Sequence, residues 1–72
     1  MKMNKEVVDN RRKIIMQKIQ TNGTVTVDEL AQELNVAPMT IRRDLQYWEE
    51  KGALARFYGG ARLVQTFVEN GE

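Results

Sequence analysis

Residues 38–51, PMTIRRDLQYWEEK, constrain the chain more than any other stretch, because they read as one helix with two incompatible faces. At about 3.6 residues per turn, Ile41, Leu45 and Trp48 fall on one stripe, while Met39, Arg43, Gln46 and Glu50 fall on the opposite side. The first set demands a core and the second must face something else. Arg42 and Arg43, with Thr40 and Gln46 beside them, give the outer face of the first two turns a positive, hydrogen-bonding character without a matching run of acids. A helix of this kind, one turn after another short helix, points to a nucleic-acid reader.

The upstream sequence supplies that short helix. Thr26-Val27-Asp28-Glu29 has capping-box spacing, in which the threonine hydroxyl and the glutamate satisfy each other's orphan amides. A helix should therefore start near Val27 and run to about Leu34, with Leu30, Ala31 and Leu34 as its apolar face. Asn35-Val36-Ala37 is then a tight turn, with Asn35 suited to a left-handed backbone and Val36 as a buried plug. Pro38 fits the first position of the next helix, where its missing amide costs nothing. Earlier still, Asp9 or Asn10 can cap a helix through roughly Thr21, with Ile15 and Ile19 one turn apart, Met16 beside them and Gly23 as the stop. Ile14 lies off that stripe. Residues 1–8 read as a flexible basic arm, and Thr24-Val25 as a short strand.

Downstream, Lys51 and Gly52 end the long helix. Residues 53–58 and 61–64 are short β-compatible runs joined by Gly59-Gly60, which predicts a tight hairpin with Phe57 opposite Arg62 and Arg56 opposite Leu63. Neither hairpin face is then cleanly apolar, so the hairpin should project partly from the body. Residues 65–72 read as a polar tail or the start of a linker. The order helix, short strand, helix, turn, helix, hairpin is that of a winged helix-turn-helix, mainly α with a small β sheet, spanning residues 9–64. Its expected core is Ile15, Ile19, Leu30, Leu34, Ile41, Leu45 and Trp48.

Composition narrows the chemistry. Seventy-two residues make one domain, near the lower size at which a core alone holds a fold. With no cysteine and no histidine, disulfides, thiolate nucleophiles, imidazole bases and the usual zinc sets are excluded. Only carboxylates remain for acid–base work, and no pair has a recognisable pocket pattern, so neither an enzyme nor a cofactor or metal site is expected. The net charge is only +1, yet residues 1–18 carry six basic against two acidic groups, and Arg42, Arg43, Arg56 and Arg62 follow. Distribution, more than total, supports a basic face. No run of apolar residues is long enough for a membrane span or a secretion signal, so the expected compartment is cytoplasmic.

The stretches Arg12 with Ile15, VTVDELA at 25–31, VAPMTIRRDL at 36–45 and GALARFYGGA at 52–61 together resemble the N-terminal DNA-binding domain of DeoR-type bacterial transcriptional repressors. The match covers about residues 11–64, and TIRRDL combined with GGA is a specific signal. Two departures stand out: Ala37 replaces the serine usual before the recognition helix, and Tyr58 the histidine usual before the glycine pair. The resemblance implies double-stranded operator DNA as partner, with the 38–51 helix in the major groove and the 54–64 hairpin as wing. It also implies repression of sugar or carbohydrate genes by a longer homo-oligomer whose C-terminal domain binds a phosphorylated sugar. The present chain is then expected to behave as a monomeric isolated domain.

On this basis the candidate DNA-contacting residues are Thr26, Met39, Thr40, Arg42, Arg43, Gln46, Tyr47, Arg56, Tyr58, Gly59, Gly60 and Arg62. Arg43, opposite the buried stripe, suits guanine O6 and N7, and Arg42, on the flank, suits phosphate. Met39 can reach a base methyl and Thr40 a phosphate oxygen. Thr26 marks a helix start whose free amides suit a phosphate, Arg56 and Arg62 flank the hairpin, and the glycine tip lets backbone approach DNA. Asp44 is expected as a structural ion-pair partner at the core edge, and Trp48 as core. The main rival is a winged helix used for protein contacts, which should carry an apolar patch in place of the arginines on the long helix.

Overall fold

The computed structural model describes residues 5–64, and its elements follow the expected order. Helix α1, Lys5–Asn22, buries Ile15, Met16 and Ile19 on one stripe and leaves Ile14 on the surface. It starts at Lys5 and not at Asp9 or Asn10. An i,i+4 ion pair from Lys5 Nζ to Asp9 Oδ2, 3.1 Å, supports this first turn, and the two adjacent valines are carried in helical conformation despite their weak propensity. Residues 5–8 of the expected arm are therefore helical, whereas its residues 1–4 and the tail at 65–72 lie outside the described residues. Gly23 ends the helix at φ +85, its amide bonded to Ile19 O at 2.7 Å.

Strand β1, Thr24–Thr26, leads directly into α2, Val27–Leu34. The Thr26 hydroxyl accepts from the Glu29 amide at 3.2 Å, which realises the threonine half of the capping box. Asn35 closes α2 in the left-handed conformation, φ 57 and ψ 48, with its amide donating to Ala31 O. Val36 is half-buried against the core. Helix α3, Pro38–Glu50, then buries Ile41, Asp44, Leu45 and Trp48. Ala37 gives its start no side-chain cap. All the expected core residues are buried except Leu34, which packs against the core from its edge, and Val25, Val27, Ala53, Leu54 and Ala61 join them from the sheet side. Each large aliphatic side chain contributes about 1.5–3 kcal/mol by leaving water.

The sheet has strand order β1-β3-β2, all antiparallel, with β2 at Leu54–Phe57 and β3 at Gly60–Leu63. The wing register differs from the expected one. Phe57 stands opposite Gly60, Arg56 opposite Ala61, and Ala55 opposite Arg62, so the turn is Tyr58-Gly59 and not Gly59-Gly60. Gly59 takes the turn position at φ +87, and Gly60 enters the central strand. A Cβ on Gly60 would lie 2.2 Å from Val25 O, so the close approach of β1 to β3 requires a glycine there. This contact chooses between two turns that the glycine pair permits equally.

Candidate nucleic-acid interface

Packing α3 on its apolar stripe aims the other side of the helix at solvent. Met39, 56% exposed, lies there with Arg43, Gln46 and Glu50, and Gln46 Nε2 donates to Glu50 Oε2 at 3.2 Å. The flanks differ. Arg42 lines a groove between α3 and the wing, together with Val27, Glu49, Arg56 and Gly59. Thr40 and Arg43 line a cleft on the other side, shared with Val8 and Arg11 of α1 and with Val36. Among the described residues Arg42, Arg43 and Arg62 make no ion pair, so their charge is free for an external anion.

Two of the three acids of α3 are answered by other elements. Asp44 is fully buried, and its Oδ2 accepts from Arg11 Nε, while Oδ1 accepts from Arg11 Nη2 at 3.1 Å and Arg12 Nε at 3.0 Å. The pKa of Arg11 is raised by its hydrogen bond to Asp44, against the opposing effect of burial. Arg12 also sits 4.2 Å from the centre of the Tyr47 ring, and its carbonyl accepts from Trp48 Nε1 at 3.0 Å. On the wing side, Glu49 Oε1 accepts from Arg56 Nε at 2.9 Å. The two pairings leave Arg42 and Arg43 as cations of the helix without an ion-pair partner among the described residues, and Glu50, which accepts from Gln46, as its one unpaired acid.

At the wing, Tyr58 is fully exposed beside Gly59, and Arg62 lies exposed on the face of β3 opposite buried Ala61. These residues and the outer face of α3 are accessible, whereas other expected contact residues have partners within the fold. Tyr47 is half-buried, its ring centre 5.1 Å from that of Trp48, with Arg12 and, at 5.2 Å, Lys51 Nζ against the ring. It belongs to the junction with α1. Gly60 is buried under β1 and serves the sheet. At the helix start by Thr26, the Val27 amide donates to Gly59 O at 2.8 Å and the Glu29 amide to Thr26 Oγ1.

This combination of helices, turn and wing is matched by the model of the DeoR-like helix-turn-helix domain over residues 11–67. The chain belongs to the DeoR-like helix-turn-helix family. Similar proteins include the lactose phosphotransferase system repressor of Staphylococcus aureus (strain NCTC 8325 / PS 47), 44% identical over 90% of this chain and 25% of that protein. A repressor of the same name from Lactococcus lactis subsp. lactis is 39% identical over 89% of this chain and 24% of that protein. The chain thus spans about a quarter of the length of these curated relatives. No solved structure matches. As a DeoR-like domain the chain is a DNA-binding module of transcription regulation.

Within the DeoR-like frame, the residues that sequence reasoning missed are Arg11 as a partner of Asp44 and Glu49 as the partner of Arg56. Arg11 lies 33 residues from Asp44, and no local pattern links them. A signal did exist for Tyr47, because it falls on the α3 flank beside Thr40, away from Met39 and Gln46.

Proposed function

We propose that this DeoR-like domain binds operator DNA sequence-specifically, with α3 in the major groove and the β2–β3 hairpin as wing, in a bacterial repressor of sugar or carbohydrate genes. The observation that carries the reading is the pair Arg42 and Arg43, exposed and free of ion pairs among the described residues while the helix's buried acid is neutralised from behind. The relatives' name, lactose phosphotransferase system repressor, supports the sugar connection. A cytoplasmic, non-enzymatic regulator that oligomerises through a further effector-binding domain fits the same reading.

The experiment is a salt series on random duplex and on an operator selected from genomic fragments. Binding should weaken steeply with salt. Arg43→Ala should cost about 1–3 kcal/mol on operator and blur one base pair. Arg42→Ala should weaken both duplexes alike and reduce the salt slope by about one. The reverse assignment would mean that α3 sits rotated in the groove, and salt-insensitive binding of a protein partner alone would favour the interaction-module alternative.

A further inference from the structure

The α1–α3 junction holds more positive charge than its carboxylate needs. One guanidinium suffices to neutralise Asp44, yet both Arg11 and Arg12 are bonded to it, which leaves this three-residue cluster one positive charge in excess. Neither arginine is sealed off, their side chains being 14% and 25% exposed. Part of the Arg12 guanidinium lies against the Tyr47 ring, and both Arg11 and Arg12 line the cleft shared with Thr40 and Arg43. Counting Arg43, that cleft has three cationic groups against one acid, and its walls include apolar Val8 and Val36, which strengthen charge interactions by excluding water. It opens beside the base-reading face of α3, on the flank where the wall of a groove would stand.

We propose that the cleft between α1 and the first turns of α3 receives one DNA backbone phosphate, with Arg11 and Arg43 as its cationic walls, Thr40 as a hydroxyl donor and Asp44 as the positioning residue that holds Arg11. This rests on the DNA-binding reading above. It adds α1 to the contact surface and gives Arg43 a role on the groove wall as well as at the base edges. Asp44 touches no DNA; it fixes the direction of the guanidinium by accepting from both Nε and Nη2.

The test compares the wild-type domain with Arg11→Met and with Thr40→Val on a short random-sequence duplex across a salt series, with thermal melts to confirm folding. Arg11→Met leaves the buried Asp44 carboxylate paired with Arg12 Nε while it removes the cluster's surplus positive charge. Its salt slope should be shallower by about 0.9, one phosphate's share. Thr40→Val should weaken binding with the slope unchanged, because a neutral donor is lost. An Arg11→Met variant with wild-type slope and affinity would make Arg11 purely structural and overturn the proposal. Should that variant fail to fold, undiminished affinity of Thr40→Val overturns it instead. If the wild type itself shows no salt-dependent binding, the DNA reading fails; if it binds steeply and the variants match it, only the phosphate cleft fails.

Discussion

On one side α3 meets α1 through Asp44, 0% exposed between Arg11 and Arg12; on the other it meets the wing through Glu49 and Arg56, whose side chains are 40% and 39% exposed. Both junctions use a carboxylate and a guanidinium at hydrogen-bonding distance, but water reaches only one of them freely. An exposed pair gains little over its solvated partners, whereas a buried carboxylate without its guanidinium keeps the full cost of its lost hydration. The wing is therefore held by backbone and apolar burial in place of ion pairs: the sheet ladder, the Val27 amide on Gly59 O, the close approach at Gly60, and Leu54 and Ala61 in the core. The α1 side is held by side chains.

Three substitutions would sharpen or break this contrast. The largest effect is expected for Asp44→Ala, which leaves two guanidiniums facing each other in a half-dry site; it should cost about 3–5 kcal/mol, a large fraction of the roughly 5–15 kcal/mol that small domains possess. Urea unfolding measures it, and a loss under about 1 kcal/mol would put the junction in the same class as an exposed pair. Gly60→Ala should come next, at about 1–3 kcal/mol, because the added methyl must push β1 and β3 apart. A denaturant midpoint equal to wild type would mean that β1 yields at little cost and does not anchor the wing. Arg56→Ala should be smallest, within about 0.2–1 kcal/mol and shrinking as salt is added. A loss matching that of Asp44→Ala would erase the difference between the two junctions.

The parts legible in the sequence are those set by local rules. The stripe Ile41, Leu45 and Trp48 needed only helical periodicity, the Thr26–Glu29 spacing placed the start of α2, and Asn35 supplied a left-handed turn that few other residues adopt easily. The hairpin itself was legible and its register was not, since either Tyr58-Gly59 or Gly59-Gly60 could form the turn until Val25 O excluded a side chain at residue 60. The start of α1 lies earlier than the capping residues Asp9 and Asn10 suggest, because Asp9 pairs with Lys5 inside the helix in place of capping it. For the interface, the exposed side of α3 followed from the same wheel that placed the core. The arginines behind it did not, because an ion pair between residues 32 or 33 positions apart leaves no trace in spacing.

The strand order β1-β3-β2 also fixes how load passes through the domain. The turn at Tyr58-Gly59 lies at one end of β3, and the chain leaves at the other, where the Leu63 amide donates to Gly23 O and the Val64 amide to Ala53 O. Tension applied beyond Val64 thus enters along the middle strand, which is laddered on both edges, so several bonds must slide together before any one opens. A pull on that end is shared between the α1–β1 turn at Gly23 and the loop following α3 at Ala53, both at the end of the sheet away from the wing tip.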